Sequence, residues 1–145
     1  MQFPSSPPLG VNSMAMDAER VIARNFAGCP GYDEQSFSGR LHEDSMWDWH
    51  EYWQLEKALY DLCAIDDFRR EVAWPIFRIF SYGQMVLSCH FDPNDHFKIK
   101  ELSSDEIYIV RERFQRVFEG YFKGDMPDPC DFEGMNPLLP PVSGR

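Results

Sequence analysis

Four side chains with metal-binding chemistry, His90, Asp92, Asp95 and His96, fall within seven residues. Imidazole nitrogens and carboxylate oxygens suit a divalent ion, but this spacing matches no zinc motif, and a calcium loop needs a glycine and a terminal glutamate absent here. A polar hairpin turn is the plainer reading. Cys89 adjoins His90, yet on an extended strand consecutive side chains point to opposite faces, so the two do not form a nucleophile–base pair. Cys29 precedes Pro30 in a Gly/Pro turn and reads as a small apolar side chain. Carboxylates are plentiful, but nothing singles out a pair for acid–base work. The chain has no GxSxG, P-loop, GxGxxG or HExxH motif. No catalytic, cofactor-binding or metal-binding residue is therefore assigned and no cofactor is expected. A metal-dependent enzyme built on the His90–His96 hairpin stands as an alternative.

The stronger signal is charge. Ten acids (Asp33, Glu34, Glu43, Asp44, Asp48, Glu51, Glu56, Asp61, Asp66, Asp67) face two bases (Arg40, Lys57) between Asp33 and Asp67, a local −8 in a chain of −10. Such a field disfavours nucleic acid, whose phosphates need Lys and Arg, and favours a basic partner. Part of the acidity has a structural explanation, since Asp48 suits a capping box with Ser45. Glu56, Asp61, Asp66 and Asp67 read as solvated helix faces and ends, with Asp66-Asp67 capping the segment that starts at Phe68. The remainder, Glu43, Asp44, Asp48 and Glu51, clusters at one helix start. Trp47 lies off the apolar stripe shared by Trp49 and Trp53 and is the expected exposed anchor, as in an interface hot spot. Glu43, Asp44, Trp47, Asp48 and Glu51 form the expected partner-binding surface.

Two amphipathic helices must position these residues. One is expected from Asp44 or Ser45 to Cys63, with Leu55, Leu59 and Leu62 on one stripe. The other opens on the capping box Ser103–Glu106 and continues through Ile107, Val110, Phe114, Val117, Phe118 and Tyr121, with Gly124 as its stop. Between them, Pro75 can open an apolar helix. Gln84–Phe91 reads as a strand, paired with His96–Lys100 across the turn Asp92-Pro93-Asn94-Asp95. The expected fold is α+β and helix-rich, a single small domain with two long amphipathic helices, an apolar helix and a short β-hairpin.

The length of 145 residues and 43% apolar content suit one domain with a real core. Residues 1–16 read as a disordered leader or an added extension, 17–139 as the domain and 140–145 as a loose tail. No apolar run approaches the roughly 20 residues of a membrane helix, and the N-terminus lacks a secretory signal. Four scattered cysteines without a CxxC pair suit reduced thiols in the cytoplasm.

Several stretches together carry a resemblance: Cys29-Pro30-Gly31-Tyr32, Ser36 to Asp44, Ala73 to Phe80, Arg113 to Gly124 and Asn136 to Leu139. Their joint order, over about Asn25 to Leu139, resembles the bacterial immunity protein 41 family of contact-dependent growth inhibition and polymorphic-toxin systems. The resemblance implies a small, non-enzymatic cytoplasmic protein that binds and neutralises a cognate toxin C-terminal domain, often a nuclease. A nuclease needs a basic cleft, which an acidic inhibitor complements. A generic acidic adaptor for another basic protein is a further alternative.

Overall fold

The computed structural model describes residues 9–66 and 68–141, with side chains from residue 13 onward. Residues 1–8, Asp67 and residues 142–145 lie outside the described residues. So do the parts of the leader, cap and tail expectations that fall on them.

Five α-helices make up the described chain: α1 Leu9–Arg24, α2 Phe37–Asp44, α3 Trp49–Ala64, α4 Arg70–Phe91 and α5 Glu106–Lys123. A 3-10 turn, Pro129–Asp131, follows. Residues 9–16, within the stretch read as a leader, form the first turns of α1. Helix α3 is central, packing on α1, α2 and α5, while α4 closes the bundle against α1 and α5. Leu55, Leu59 and Leu62 of α3 meet Ile76 and Ile79 of α4 and Val110, Phe114, Val117 and Phe118 of α5 in one buried core.

Helix α5 follows its sequence pattern closely. Ser103 N–H donates to Glu106 Oε1 and Glu106 N–H donates to Ser103 Oγ, both at 3.1 Å, which completes the reciprocal capping box. Gly124 ends the helix at φ 81°, and the next amide, Asp125 N–H, reaches back to the Gly120 carbonyl at 2.9 Å. This αL closure satisfies carbonyls that the helix end would otherwise orphan.

The α+β expectation is wrong. No strand or sheet occurs among the described residues, and the β-hairpin is replaced by one long helix. Gln84–Phe91 is the second half of α4. Val86 and Leu87 are both buried while Met85 is exposed, whereas a strand would send neighbours to opposite faces. Val72, Ile76, Ile79, Gly83, Val86 and Leu87 instead continue a helical spacing from the first turn to the last. A Cβ at Gly83 would run into the Phe114 ring, so glycine here sets the approach of α4 to α5. Pro75 lies inside α4 rather than opening it. The Asp92–Asp95 turn does form, with Asp95 N–H to the Asp92 carbonyl at 3.1 Å, but it ends a helix. Lys98 Nζ then caps that end by donating to the carbonyls of His90, Asp92 and Asp95 at 2.8–3.1 Å. Lys100 makes a single parallel bridge with Met46, not with α4.

The expected start of the first amphipathic helix also changes. Ser45 does not cap α3; it ends α2 in the left-handed region at φ 55°. Helix α2 itself was not anticipated, because Gly39 interrupts its pattern. A Cβ at Gly39 would collide with the Glu34 backbone, so the tight entry to α2 requires glycine.

Candidate partner-binding surface

The end of α1, the whole of α2 and the first turn of α3 converge on one corner, held by two arginines. Asp48 caps α3 by accepting from Glu51 N–H at 3.2 Å and also meets Arg40 Nη1 at 3.3 Å. Arg40 Nε lies 2.8 Å from Asp44. Arg24, arriving from α1, bridges Asp33 at 2.9 Å and Glu51 at 3.2 Å. Four carboxylates (Asp33, Asp44, Asp48, Glu51) thus share two guanidinium groups, and with Glu34 and Glu43 beside them the corner stays negative. Asp33 sits below its ordinary carboxylate range, held there by the Gln35 amide and then by Arg24. Glu34 and Glu43 are exposed and project from the corner.

Of the expected surface residues, Glu43 and Asp44 are exposed and Asp48 and Glu51 are half-buried. Trp47 is not an exposed anchor. It is 4% exposed and packs against Phe37, Tyr52 and Phe114 at ring distances of 4.7, 5.3 and 5.9 Å. Helical periodicity cannot aim a residue that precedes the helix. Trp47 lies on the link between α2 and α3, and that link tucks it inward.

Beside the acidic corner lies a groove of about 220 Å³ whose lining includes Tyr32, Tyr82, His42, Ser38 and Arg78. Asn25 sets its floor, donating to the Val21 carbonyl at 2.8 Å and accepting from Ser38 N–H at 2.9 Å. Ser38 Oγ is buried there without a hydrogen-bond partner. Tyr82 Oη and His42 Nδ1 share a hydrogen bond of 3.2 Å. Burial, then the charges of Glu43, Glu34 and Asp33, push the Tyr32 phenol upward, so the acidic field reaches the groove. The volume is below the roughly 300 Å³ typical of small-molecule sites and suits one protruding side chain. No local sequence pattern signals this groove, because Tyr32 and Tyr82 are brought together only by the packing of the loop after α1 beside α4.

Glu56 is not a solvated helix face. It is fully buried, and its carboxylate meets Arg113 of α5 at 2.7 and 2.9 Å. Asn136 Nδ2 donates to Glu56 Oε2 at 3.0 Å, and Tyr52 Oη donates to Oε1 at 3.2 Å. The signal was readable: Glu56 lies within the Leu55–Leu59 stripe and Arg113 within the Val110–Phe114–Val117 stripe. This network is structural.

Around the supposed metal hairpin, His90 Nδ1 accepts from Ile99 N–H at 2.9 Å. Among the described residues no three His, Cys, Asp or Glu side chains converge as metal ligands. The four cysteines are free. Burial pushes the Cys29 and Cys63 thiols up, and the Cys89 thiol is pushed up chiefly by its hydrogen bond to Asp95, the reverse of an activated nucleophile.

The sequence model of the family described as Immunity protein 41 matches residues 24–117, more than half of the chain. The chain belongs to this family. No curated protein and no solved structure matches it. The family match begins at Arg24, the residue that ties α1 into the acidic corner, and takes in the groove and both partners of the Glu56–Arg113 pair. Among the described residues no helix is long and apolar enough to cross a membrane.

Proposed function

We propose that this immunity protein acts in the cytoplasm by binding a cognate toxin C-terminal domain, and that the acidic corner is its docking surface. The observation that carries the reading is a corner of six carboxylates, four of them sharing two arginines and Glu34 and Glu43 exposed, beside an open, tyrosine-lined groove. A basic toxin domain, as a nuclease with a phosphate-binding cleft would be, is drawn to this corner by its field. A protruding uncharged side chain of the toxin enters the groove, where Tyr32 and Tyr82 offer ring faces and Arg78 disfavours a second cation. Glu43 and Glu34 face the remainder of the basic surface, with Asp44, Asp48 and Glu51 behind them. Neutralisation is by contact, and no bond is made or broken by this chain.

The test is the toxin domain encoded beside this gene. Mixed with the purified chain it should form a stoichiometric complex and lose its activity, and Tyr32→Ala with Tyr82→Ala should weaken that complex. A toxin that binds both forms equally removes the groove from the account. A toxin that binds neither removes the function.

A further inference from the structure

Helix α4 turns Arg70, Trp74, Phe77, Arg78, Ser81, Met85 and Ser88 outward. Trp74, Phe77 and Met85 are 54%, 47% and 56% exposed, and Phe68 at 57% and Phe122 at 37% flank them. The Trp74 and Phe77 rings stack at 5.9 Å beside an open groove of about 590 Å³, lined also by Phe68, Arg70, Ala73 and Phe122. Beyond Glu71 in its first turn the helix has no acidic residue, in a chain of net charge −10. Clustered exposed aromatics of this kind mark interaction surfaces rather than ordinary solvent-facing positions.

We infer that this face binds a second copy of the chain, the two α4 helices packing antiparallel about a two-fold axis at Ser81. The stripe is self-complementary about that residue. Phe77 and Met85 lie four positions to either side, Trp74 and Ser88 seven, and Arg70 and Asp92 eleven. At 1.5 Å per residue the last pair stands about 16 Å from the axis on each side. The antiparallel register therefore sets Phe77 over Met85 of the second copy, the large Trp74 over the small Ser88, and Arg70 against Asp92. Ser81 against Ser81 allows close approach at the centre, and a shallow crossing of about 20° keeps the charged ends within reach. The second copy supplies an apolar surface for Trp74, Phe77 and Met85 and, at Asp92, a carboxylate for Arg70.

One helix face with its flanking aromatics lies at the small end of specific interfaces, so the association is reversible and concentration-dependent. It is measured without any toxin, and its failure leaves the proposed function untouched. Sedimentation velocity of the full chain should show the mass rising from 17.0 kDa towards twice that value as concentration increases. Trp74→Glu, with a helical circular-dichroism spectrum like the wild type's, should stay monomeric throughout. Arg70→Glu and Asp92→Arg should each weaken association about five-fold or more, because each breaks two symmetric pairs. The chain carrying both changes should recover, since both pairs are then reversed.

A wild type that is monomeric up to about 0.5 mM overturns the inference, as a millimolar contact is not specific. A dimer indifferent to Trp74→Glu overturns the face, and no recovery in the double variant overturns the antiparallel register. If the wild type is monomeric and Trp74→Glu abolishes toxin binding, the face belongs to the toxin.

Discussion

Arg113 and Glu56 meet through two hydrogen bonds, Nε to Oε1 at 2.7 Å and Nη2 to Oε2 at 2.9 Å, with side chains 4% and 0% exposed. The guanidinium carbon also lies over the Trp53 and Phe132 rings, 4.6 and 4.5 Å from their centroids. Burial alone would lower the Arg113 pKa, but Glu56 outweighs it and holds it above the ordinary value. The pair joins α3 to α5 and, through Asn136, fastens the C-terminal segment over both helices.

Breaking this pair leaves an uncompensated charge in the core. Glu56→Leu or Arg113→Met should each lower stability by about 3–5 kcal/mol, read from urea denaturation. Replacing both residues together, as Glu56→Leu with Arg113→Met, should cost much less than the two single changes summed. Additive losses would show that the two charges do not depend on each other.

Asn136 carries the link to the C-terminal segment by donating to the Trp53 carbonyl and to Glu56, both at 3.0 Å. Asn136→Ala should cost about 1–3 kcal/mol. It should also raise amide exchange at Leu138, whose N–H is held by Asn136 Oδ1 at 2.9 Å. Unchanged exchange there would mean the segment is held by other contacts.

Two glycines separate crowding from backbone strain. Gly83→Ala drives a methyl into Phe114 and should cost about 1–3 kcal/mol, relieved in part by Phe114→Leu. Gly124→Ala meets open space but must adopt φ 81°, so it should cost about 1 kcal/mol with no second-site relief from core changes. Urea midpoints of the single and double variants distinguish the two mechanisms.

How far the sequence could be read depended on whether the signals lay on one element. Helix α5 was legible because its cap, its apolar spacing and its glycine stop all act along one stretch. The second half of α4 was not, because the alternation of Met85, Leu87, Cys89 and Phe91 mimics a strand over so short a window. Extending the spacing back to Val72 would have shown the helix. Trp47 was misplaced by running a helical period through Ser45, where the chain turns at positive φ. The acidic cluster was visible as a count, but its pairing was not, since Arg24 reaches it from another helix and Arg40 serves two carboxylates at once. The exposed aromatics of α4 were not legible as a face, because periodicity cannot show which stripes find a neighbour.

Acid should loosen the end of α4. Burial, and then the Lys98 charge, hold the His90 imidazole below its ordinary 6.5. The folded chain therefore binds fewer protons there than the unfolded chain, so stability is full above 6.5. It falls as pH drops from that value toward the folded pKa and levels off below it. Asp95, facing the same turn, is held below 3.8 by the Phe97 amide and then the Cys89 thiol, so it titrates in a lower window. His90→Asn keeps an acceptor for the Ile99 amide and should flatten the decline in urea midpoint between about pH 7 and pH 5. An equal decline in the variant would assign the effect to another group.

The acidic corner is tested most directly by the association rate of the toxin domain as salt is varied. Reversing Glu34 and Glu43 to Lys leaves the Arg24 and Arg40 ion pairs in place, so folding and binding effects are separable. The account predicts association slowed about ten-fold or more at low salt, with a flatter dependence on ionic strength and an unchanged urea midpoint. An association rate and salt slope equal to those of the wild type would contradict it.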